Sequence, residues 1–378
     1  MRLGEGATRG PKTKIPATAR PNRFRKPVRF CLIQMKNPAH ILVIRFSAMG
    51  DVAMTIPVLR RLAAAYPALK ITVLTKPNFA PIFKGIPNIS VVEADVKNTY
   101  KGFWGLRKLA SDLKRRDINV VADLHNVLRT SILRFFFFFH GIPCVTIDKG
   151  RKEKKSLTRV GAKKSQALKT THQRYAEVFH KLGFPIDLSR KILIQKPPLS
   201  EKITQLLSSS SQKWIGIAPF AAHTSKMYPM DLMEQVIAEL NRTNQYKVLL
   251  FGGGKQEKNL AENLESKYEN VTSLIGKLSF EEELNLIANL DIMLSMDSGN
   301  GHLAALFDVP VISLWGSTHP FAGFAPFGQP VENQILPDLL QYPKIPTSIY
   351  GNKAVEGYEN AMRTISPKNV VEKVEAAL

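Results

Sequence analysis

The chain has 378 residues, 44% hydrophobic and 22% charged, which is enough apolar material for about two domains and rules out wholesale disorder. Two cysteines, Cys31 and Cys144, exclude a disulfide scaffold and any four-cysteine zinc site, and suit a reducing cytosol. The formal net charge of +22 is the outlying number, and fields of that kind attract polyanions: nucleic acid, anionic lipid headgroups or phosphorylated glycans.

The charge is concentrated in two places. Residues 1–34 hold nine Lys and Arg side chains, from Arg2 to Arg29, against Glu5 alone. This stretch has neither the apolar run nor the small-residue cleavage site of a secretory signal. Residues 1–38 are expected to be a disordered basic extension, and Met35 offers a second possible start just ahead of the first strand. The second cluster, residues 149–174, holds ten basic side chains against Glu153. Solvated basic tails without a partner are the plain alternative for both.

From His40 onward strand-like and helix-like segments alternate. His40–Arg45 (HILVIR) is a short β-branched run, the pattern of a strand buried on both faces. After a glycine turn, Val52–Ala65 shows helical apolar spacing. Lys70–Leu74 and Ser90–Val92 read as strands, Phe103–Arg115 as a helix, Ile118–Asp123 as a strand and Asn126–Phe139 as a helix. The Phe135–Phe139 run is most simply a helix packed on a sheet; a membrane-touching face is the alternative. Cys144–Ile147 closes the series, followed by a basic loop and a helix near His172–Leu182. No window reaches 18 uninterrupted apolar residues, since Thr130–Ile147 is broken by Arg134, His140, Gly141 and Pro143, so no transmembrane helix is expected.

The pattern restarts after Lys196-Pro197-Pro198. Strands are predicted at Trp214–Pro219, Lys247–Phe251, Asn270–Ile275, Asp291–Ser295 and Pro310–Trp315. Helices are predicted at Met230–Asn241, Gln256–Lys267, Phe280–Asn289 and Asn300–Phe307. Ser279 with Glu282 forms a capping box, and Ser366-Pro367 opens a last helix to Leu378. Repeated β-α units with short connections imply two doubly wound parallel sheets. Ligands bind beyond the carboxyl ends of such strands, so the strand-to-helix turns are where chemistry belongs.

Four turns are candidates. Ser47-Ala48-Met49-Gly50-Asp51 is neither a dinucleotide fingerprint nor a P-loop; it offers one carboxylate, Asp51, at the mouth of the sheet, or simply a helix cap. His223-Thr224-Ser225-Lys226 places an ammonium and two hydroxyls before a helix, a plausible anion site. Gly252-Gly253-Gly254 lets backbone approach a ligand, with Glu257 able to accept bonds from a ribose; a plain tight turn fits as well. Asp297-Ser298-Gly299-Asn300-Gly301-His302 ends a strand, allows close approach at two glycines, and opens a helix whose free amides and positive dipole end suit a phosphate. Asp297 can cap that helix and bond a ligand hydroxyl, while His302 by itself reads as a packing residue. No His, Cys and carboxylate spacing resembles a metal site, and nothing suggests a Ser-His-Asp triad.

ILVIRFSAMGDVAMTIPVLRRL near the start, paired with MDSGNGHLAALFDVPVISLWG in the second half, resembles glycosyltransferase family 9, the bacterial ADP-heptose:lipopolysaccharide heptosyltransferases. The resemblance covers about residues 40–378. It implies the α/β GT-B fold, two Rossmann-like domains facing a cleft, with the acceptor on the first and the nucleotide sugar on the second. The implied division is an acceptor domain over 39–195, a donor domain over 196–335, and a segment over 336–378 whose last helix crosses back to the first domain. It further implies an inverting, metal-independent reaction without a cofactor, ADP-heptose being a substrate. The enzyme it implies is cytoplasmic and monomeric, working on an anionic glycolipid at the cytoplasmic face of the inner membrane.

Residue by residue, Asp51 matches the family's catalytic base. Thr224 and Lys226 match its phosphate-contacting loop, with Lys226 also assisting catalysis. Asp297, Ser298, Gly299, Asn300 and His302 match the donor motif, joined by Gly252, Gly253 and Glu257. Ser47, Met49, Gly50 and Arg129 fall on the acceptor side with Lys149, Arg151, Lys152, Lys154 and Lys155. Many relatives carry cysteines in the stretch that here reads Tyr342-Pro343-Lys344-Ile345-Pro346-Thr347-Ser348; this chain has none there.

Two other classes compete. A nucleic-acid-binding protein explains the charge, yet leaves the strand-end glycine motifs unused and lacks a basic strand studded with aromatic residues. A nucleotide-sugar epimerase of the same architecture explains a donor site but not the basic acceptor loop.

Overall fold

The computed structural model describes residues 40–159, 166–189, 192, 194–207 and 211–378. The expected N-terminal extension, Lys163 and Lys164 lie outside them.

The first half alternates β1 (His40–Ile44), α1 (Met49–Ala53), α2 (Thr55–Ala65), β2 (Lys70–Thr75), β3 (Ile89–Glu93), α3 (Gly102–Lys114), β4 (Val120–Asp123), α4 (Leu128–Phe139) and β5 (Cys144–Thr146). The strands pair in parallel in the order β3-β2-β1-β4-β5. The period-2 alternation of β1 sorts its side chains between two layers. Ile41 and Val43 pack with Val52, Ile56, Leu59 and Leu62 on one face. Leu42 and Ile44 pack with Leu106, Leu109, Leu133 and Phe137 on the other. After α5 (Arg151–Leu157), α6 (Thr171–Lys181) returns to this domain and buries Tyr175, Val178 and Phe179.

α7 (Glu201–Leu207) leads into the second half: β6 (Lys213–Ala218), α8 (Met230–Arg242), β7 (Tyr246–Leu250), α9 (Lys255–Lys267), β8 (Val271–Ser273), α10 (Phe280–Ala288), β9 (Ile292–Met296), α11 (Gly299–Ala305), β10 (Val311–Leu314) and β11 (Gln334–Ile335). These strands run in parallel in the order β8-β7-β6-β9-β10-β11. This is the doubly wound arrangement, with the order reversing beside β1 in one sheet and beside β6 in the other. The chain leaves β1 into the turn that carries Asp51, β6 into the turn that carries Lys226, and β9 into the turn that carries Asp297. Both reversal points therefore supply candidate residues.

Several expectations need correction. The last helix, α12 (Pro367–Ala376), docks along the second domain, and its end at Lys373 and Ala376 shares a cavity with Pro57, Arg60 and Arg61 of the first half. Its stripe of Val370, Val371 and Val374 is buried in the second core, where α8 contributes Met233, Val236, Ile237 and Leu240. The expected basic loop contains the helix α5, whose amphipathic turn buries Lys154 and Leu157. α7, β11 and the short helical turn Pro77–Phe83 were not anticipated; each is too short to show a period. Both caps stand: Ser279 Oγ accepts from Glu282 N at 3.3 Å and Ser366 Oγ from Asn369 N at 3.2 Å.

Candidate active site

The two halves meet through their turn helices. α1 and α11 pack together where neither helix has room for a larger residue. A Cβ on Gly50 would lie 2.9 Å from Cδ2 of His302, and one on Gly299 would run into Met49. Glycine at 50 thus serves close approach, its backbone being ordinary. A cavity of 590 Å3 opens beside this contact, lined from the first half by Met49, Gly50 and Asp51 and from the second by Lys226, Gly252, Gly253, Glu257 and Asp297–Asn300 with His302.

Asp51 sits in the first turn of α1. Its Oδ2 pairs with Arg45 Nη2 at 2.5 Å and accepts from Ala48 N at 3.3 Å. Arg45 is 5% exposed and donates through Nη1 to the Leu124 carbonyl at 2.8 Å, so the guanidinium is anchored and in turn fixes the carboxylate. No described residue bonds Oδ1, and the Asp51 side chain remains 32% exposed at the cavity wall. Capping and chemistry are compatible here, because one oxygen caps and the other is available. Tyr175 Oη donates to the Asp51 carbonyl at 3.2 Å and ties α1 to α6.

On the opposite wall, Lys226 Nζ pairs with Asp297 Oδ2 at 2.8 Å, with side chains only 14% and 9% exposed. Asp297 does not cap α11. The N-cap position belongs to Ser298, and Asp297 turns instead to Lys226 and to Thr318, whose hydroxyl donates to Oδ2 at 2.8 Å. A carboxylate this buried needs a cation and hydrogen-bond donors more than a helix does. Two polar atoms beside it, Ser298 Oγ and His302 Nδ1, are buried without a partner, as expected of groups that complete their bonding with a ligand. Burial pushes the His302 imidazole below its usual range, against the pull of Asp297 and Asp51, so it stays neutral and can donate through one nitrogen only. Glu257 Oε2 accepts from Gly253 N at 2.7 Å, and a side chain on Gly252 would strike that carboxylate, Ile275 and Phe220. Of the donor residues expected, only Thr224 does not line this cavity: it is exposed and lines a separate 210 Å3 cavity with Gly316 and Met362.

The basic cluster gathers on the Asp51 side. Lys149 is half-buried, and its pKa is lowered first by burial, then by Arg45 and Arg151, with Asp51 pulling it back. Lys154 is 5% exposed, its ammonium 3.8 Å from the Phe324 ring centroid; burial, then Arg174, push it down to about 8. That ring belongs to the second half. The same seam is closed by Leu168 N donating to Phe321 O at 2.9 Å and Thr171 N to Gly323 O at 2.8 Å. The basic segment therefore spans the two halves and is no free loop. Arg151, Lys152 and Lys155 are exposed, and none of them lines the cavity beside Asp51. Arg129 is half-buried near His125, and Ser47 is half-buried outside the cavity lining. Met49 and Gly50, expected to face the acceptor, line the cavity and also make the contact with α11.

Sequence reasoning passed over several residues. His125, in the turn after β4, is held by Asp123, whose Oδ1 accepts from the His125 and Asn126 amides at 2.9 Å. Burial, then Arg45 and Lys149, drive its pKa down to about 3, leaving a neutral imidazole among cations. The Tyr350 ring lies 5.7 Å from that of Phe324, tilted by 44°, and its pKa is raised first by burial and then by Asp51. It arrives with the stretch lacking family cysteines, where Thr347 N and Ser348 N donate to Ser317 O at 2.9 and 3.1 Å. Gly351 crosses Lys226 so closely that a side chain there would collide with it. Arg45 had a visible signal, a charge ending an apolar strand at the sheet's mouth; Thr318 and Tyr350 had none. Among the described residues no three His, Cys, Asp or Glu side chains gather as a metal site, and no helix is long and apolar enough to cross a membrane.

The profile of glycosyltransferase family 9 (heptosyltransferase) matches residues 106–345. Lipopolysaccharide heptosyltransferase 2 of Escherichia coli is 25% identical over 358 residues, covering 89% of this chain and 98% of that protein. Lipooligosaccharide heptosyltransferase 2 of Haemophilus influenzae is 26% identical, covering 90% and 99%. Among solved structures, a glycosyl transferase family 9 protein from Veillonella parvula superposes with a TM-score of 0.68 at 20% identity, covering 90% of this chain and 97% of that one. An Escherichia coli heptosyltransferase with ADP gives 0.63 at 18%, covering 90% and 100%.

Proposed function

Because the chain belongs to glycosyltransferase family 9, the heptosyltransferases, we propose that it moves heptose from ADP-heptose, with inversion, onto an anionic lipopolysaccharide core acceptor. The enzyme acts as a monomer at the cytoplasmic face of the inner membrane. The observation that carries this reading is one cavity with a carboxylate on one wall and, on the other, a buried cation beside unpartnered donors.

In the reaction the acceptor hydroxyl attacks the anomeric carbon of the donor while the nucleoside diphosphate departs from the opposite face. Asp51 Oδ1 receives the hydroxyl proton as the new bond forms, help typically worth about 10²–10⁴-fold. Arg45 keeps that carboxylate in place. The negative charge developing on the leaving diphosphate is met by Lys226, by the Ser298 hydroxyl and by the Ser298–Asn300 amides; electrostatic stabilisation of this kind often contributes more to the rate than any other effect. Lys226 must then exchange part of its contact with Asp297 for phosphate. The α1–α11 contact and the Lys154–Phe324 seam wall off one flank of the cavity and limit the water that would hydrolyse the donor. Lys149, Arg151 and Lys154 supply the field that draws an anionic acceptor toward Asp51. The relatives' names, lipopolysaccharide and lipooligosaccharide heptosyltransferase, support both substrates. An epimerase would have no use for a basic seam beside the base, and a nucleic-acid binder none for the Lys226–Asp297 wall.

The test is direct. Purified enzyme with ADP-heptose and heptose-deficient lipopolysaccharide core should release ADP and add one heptosyl residue to the acceptor by mass. ADP release that does not depend on acceptor, or sugar isomerisation without transfer, would overturn the proposal.

A further inference from the structure

α4 is largely apolar, its Arg129, Ser131 and Arg134 lying off the exposed stripe, and only one of its apolar faces is covered. Thr130, Leu133 and Phe137 form the buried face against the sheet. Leu128, Phe135 and Phe139 follow at intervals of seven and four, which puts them on a single stripe about 16 Å long on the opposite side. They are 79%, 52% and 68% exposed, and Phe138 beside them is 76% exposed. α3 extends the surface: the Phe103 ring lies 5.1 Å from Phe136 and 5.5 Å from Trp104, itself 70% exposed. Contiguous exposed aromatic surface of this kind marks an interaction site.

The surroundings say what covers it. Arg107 lies over the Trp104 ring at 5.6 Å, and Lys101 and Lys108 are exposed on the same helix or its threshold. Over residues 97–140 the chain has nine basic side chains and three acidic ones. A second copy of the chain would have to bring two such basic rims together, which like-charge repulsion opposes. Aromatic rings with a basic rim match instead the interface of an anionic bilayer, where rings sit at headgroup depth and Lys and Arg meet lipid phosphates. The stripe also starts at Leu128, next to the turn that holds His125, so the covered flank begins at the edge of the acceptor side. We infer that the exposed α3–α4 face is a membrane-docking surface that inserts Trp104, Phe135, Phe138 and Phe139 into an anionic lipid interface. The inference deepens the proposed function by adding lipid as a partner, but it is tested without any glycosyl acceptor.

The experiment uses the full chain and vesicles of phosphatidylcholine with or without phosphatidylglycerol. Trp104 should shift its emission to the blue and be quenched by brominated lipid on the anionic vesicles, and Trp104→Phe should abolish this change, since Trp315 is buried and Trp214 is half-buried on β6 of the second sheet. Phe135→Gln, Phe138→Gln and Phe139→Gln together keep helix-forming residues and leave the buried face intact; they should lower partitioning by about 100-fold or more. Lys101→Gln, Arg107→Gln and Lys108→Gln together should weaken binding and flatten its salt dependence. Heptosyl transfer to a delipidated, soluble acceptor should be unchanged in both variants, so loss of transfer and loss of docking are read separately. Trp104 emission indifferent to every vesicle would overturn the inference. So would sedimentation showing a wild-type dimer that the triple Phe variant converts to monomer, because the face would then be covered by a second copy.

Discussion

Lys226→Met should expose how strongly the donor wall depends on one buried ion pair. The substitution severs a 2.8 Å contact with Asp297, whose side chain is 9% exposed. At that distance two unit charges attract by about 6 kcal/mol at an effective dielectric of 20. Desolvation consumes most of that, so the pair itself is worth little net. Stranding one partner is different, and typically costs about 3–5 kcal/mol. Asp297 retains the Thr318 hydroxyl at 2.8 Å and lies at the wall of an open cavity, so the lower end, ~3 kcal/mol, is expected. Adding Asp297→Asn removes the stranded charge and keeps an oxygen for Thr318, which should restore about 2 kcal/mol. Urea unfolding midpoints at neutral pH measure both steps. Calorimetry with ADP supplies the second reading: the single and double variants should both bind roughly 10–100-fold more weakly, because a charge-assisted bond to phosphate is gone from each. A double variant no more stable than Lys226→Met would refute the coupling, and one that recovered ADP affinity would refute Lys226 as the phosphate ligand.

Asp51→Asn preserves size and the Arg45 anchor but removes the proton acceptor, so turnover should fall by about 10²-fold or more while ADP affinity, by calorimetry, stays near wild type. Gly50→Ala places a methyl 2.9 Å from the His302 ring; since that ring is buried, turnover and melting temperature should both drop, whereas Gly253→Ala, with open space around it, should leave the melting temperature close to normal. Burial raises the Glu283 carboxyl to about 7 from its ordinary 4.5, so the folded chain holds a proton there that the unfolded chain has lost, and stability should decline as pH rises through that window. Glu283→Gln should flatten that decline in urea titrations and, because Glu283 lines the same cavity, tighten ADP binding at pH 8 while changing little at pH 6.

The parts of the molecule legible in the sequence are those fixed by short-range pattern. Short apolar runs such as HILVIR and KVLLF, followed by glycine turns and recurring between helical segments, match buried parallel strands, and the capping residues Ser279 and Ser366 mark helix starts chemically. Asp51, Lys226 and Asp297 could be singled out because each follows a strand end, which is where doubly wound sheets bind ligands. What one wall presents to the other was not legible. Nothing local to Asp297 announces Lys226, 71 positions earlier, or Thr318. Lys154 reads as one more solvated lysine until Phe324 is seen beneath it. The direction of α12 was likewise undetermined, since an amphipathic stripe of valines specifies that a helix must dock but not on which domain.

The proposed division of labour between the walls follows from what displacement with inversion demands. The proton acceptor and the leaving-group stabiliser must face opposite sides of the same carbon, so neither can be a near neighbour of the other in a single turn. Two sheets, each with its own reversal point, solve this by placing a carboxylate at one mouth and a cation at the other, and by letting the contact between α1 and α11 set the gap. That contact is made through Gly50, Gly299 and His302, which leave no side chain to spare, so the separation of Asp51 from Lys226 is fixed by backbone approach. In the proposed reaction the field that draws the acceptor comes from Lys149, Arg151 and Lys154, outside this contact. The site does not tolerate extra atoms at the α1–α11 contact, where even one methyl separates the base from the departing diphosphate.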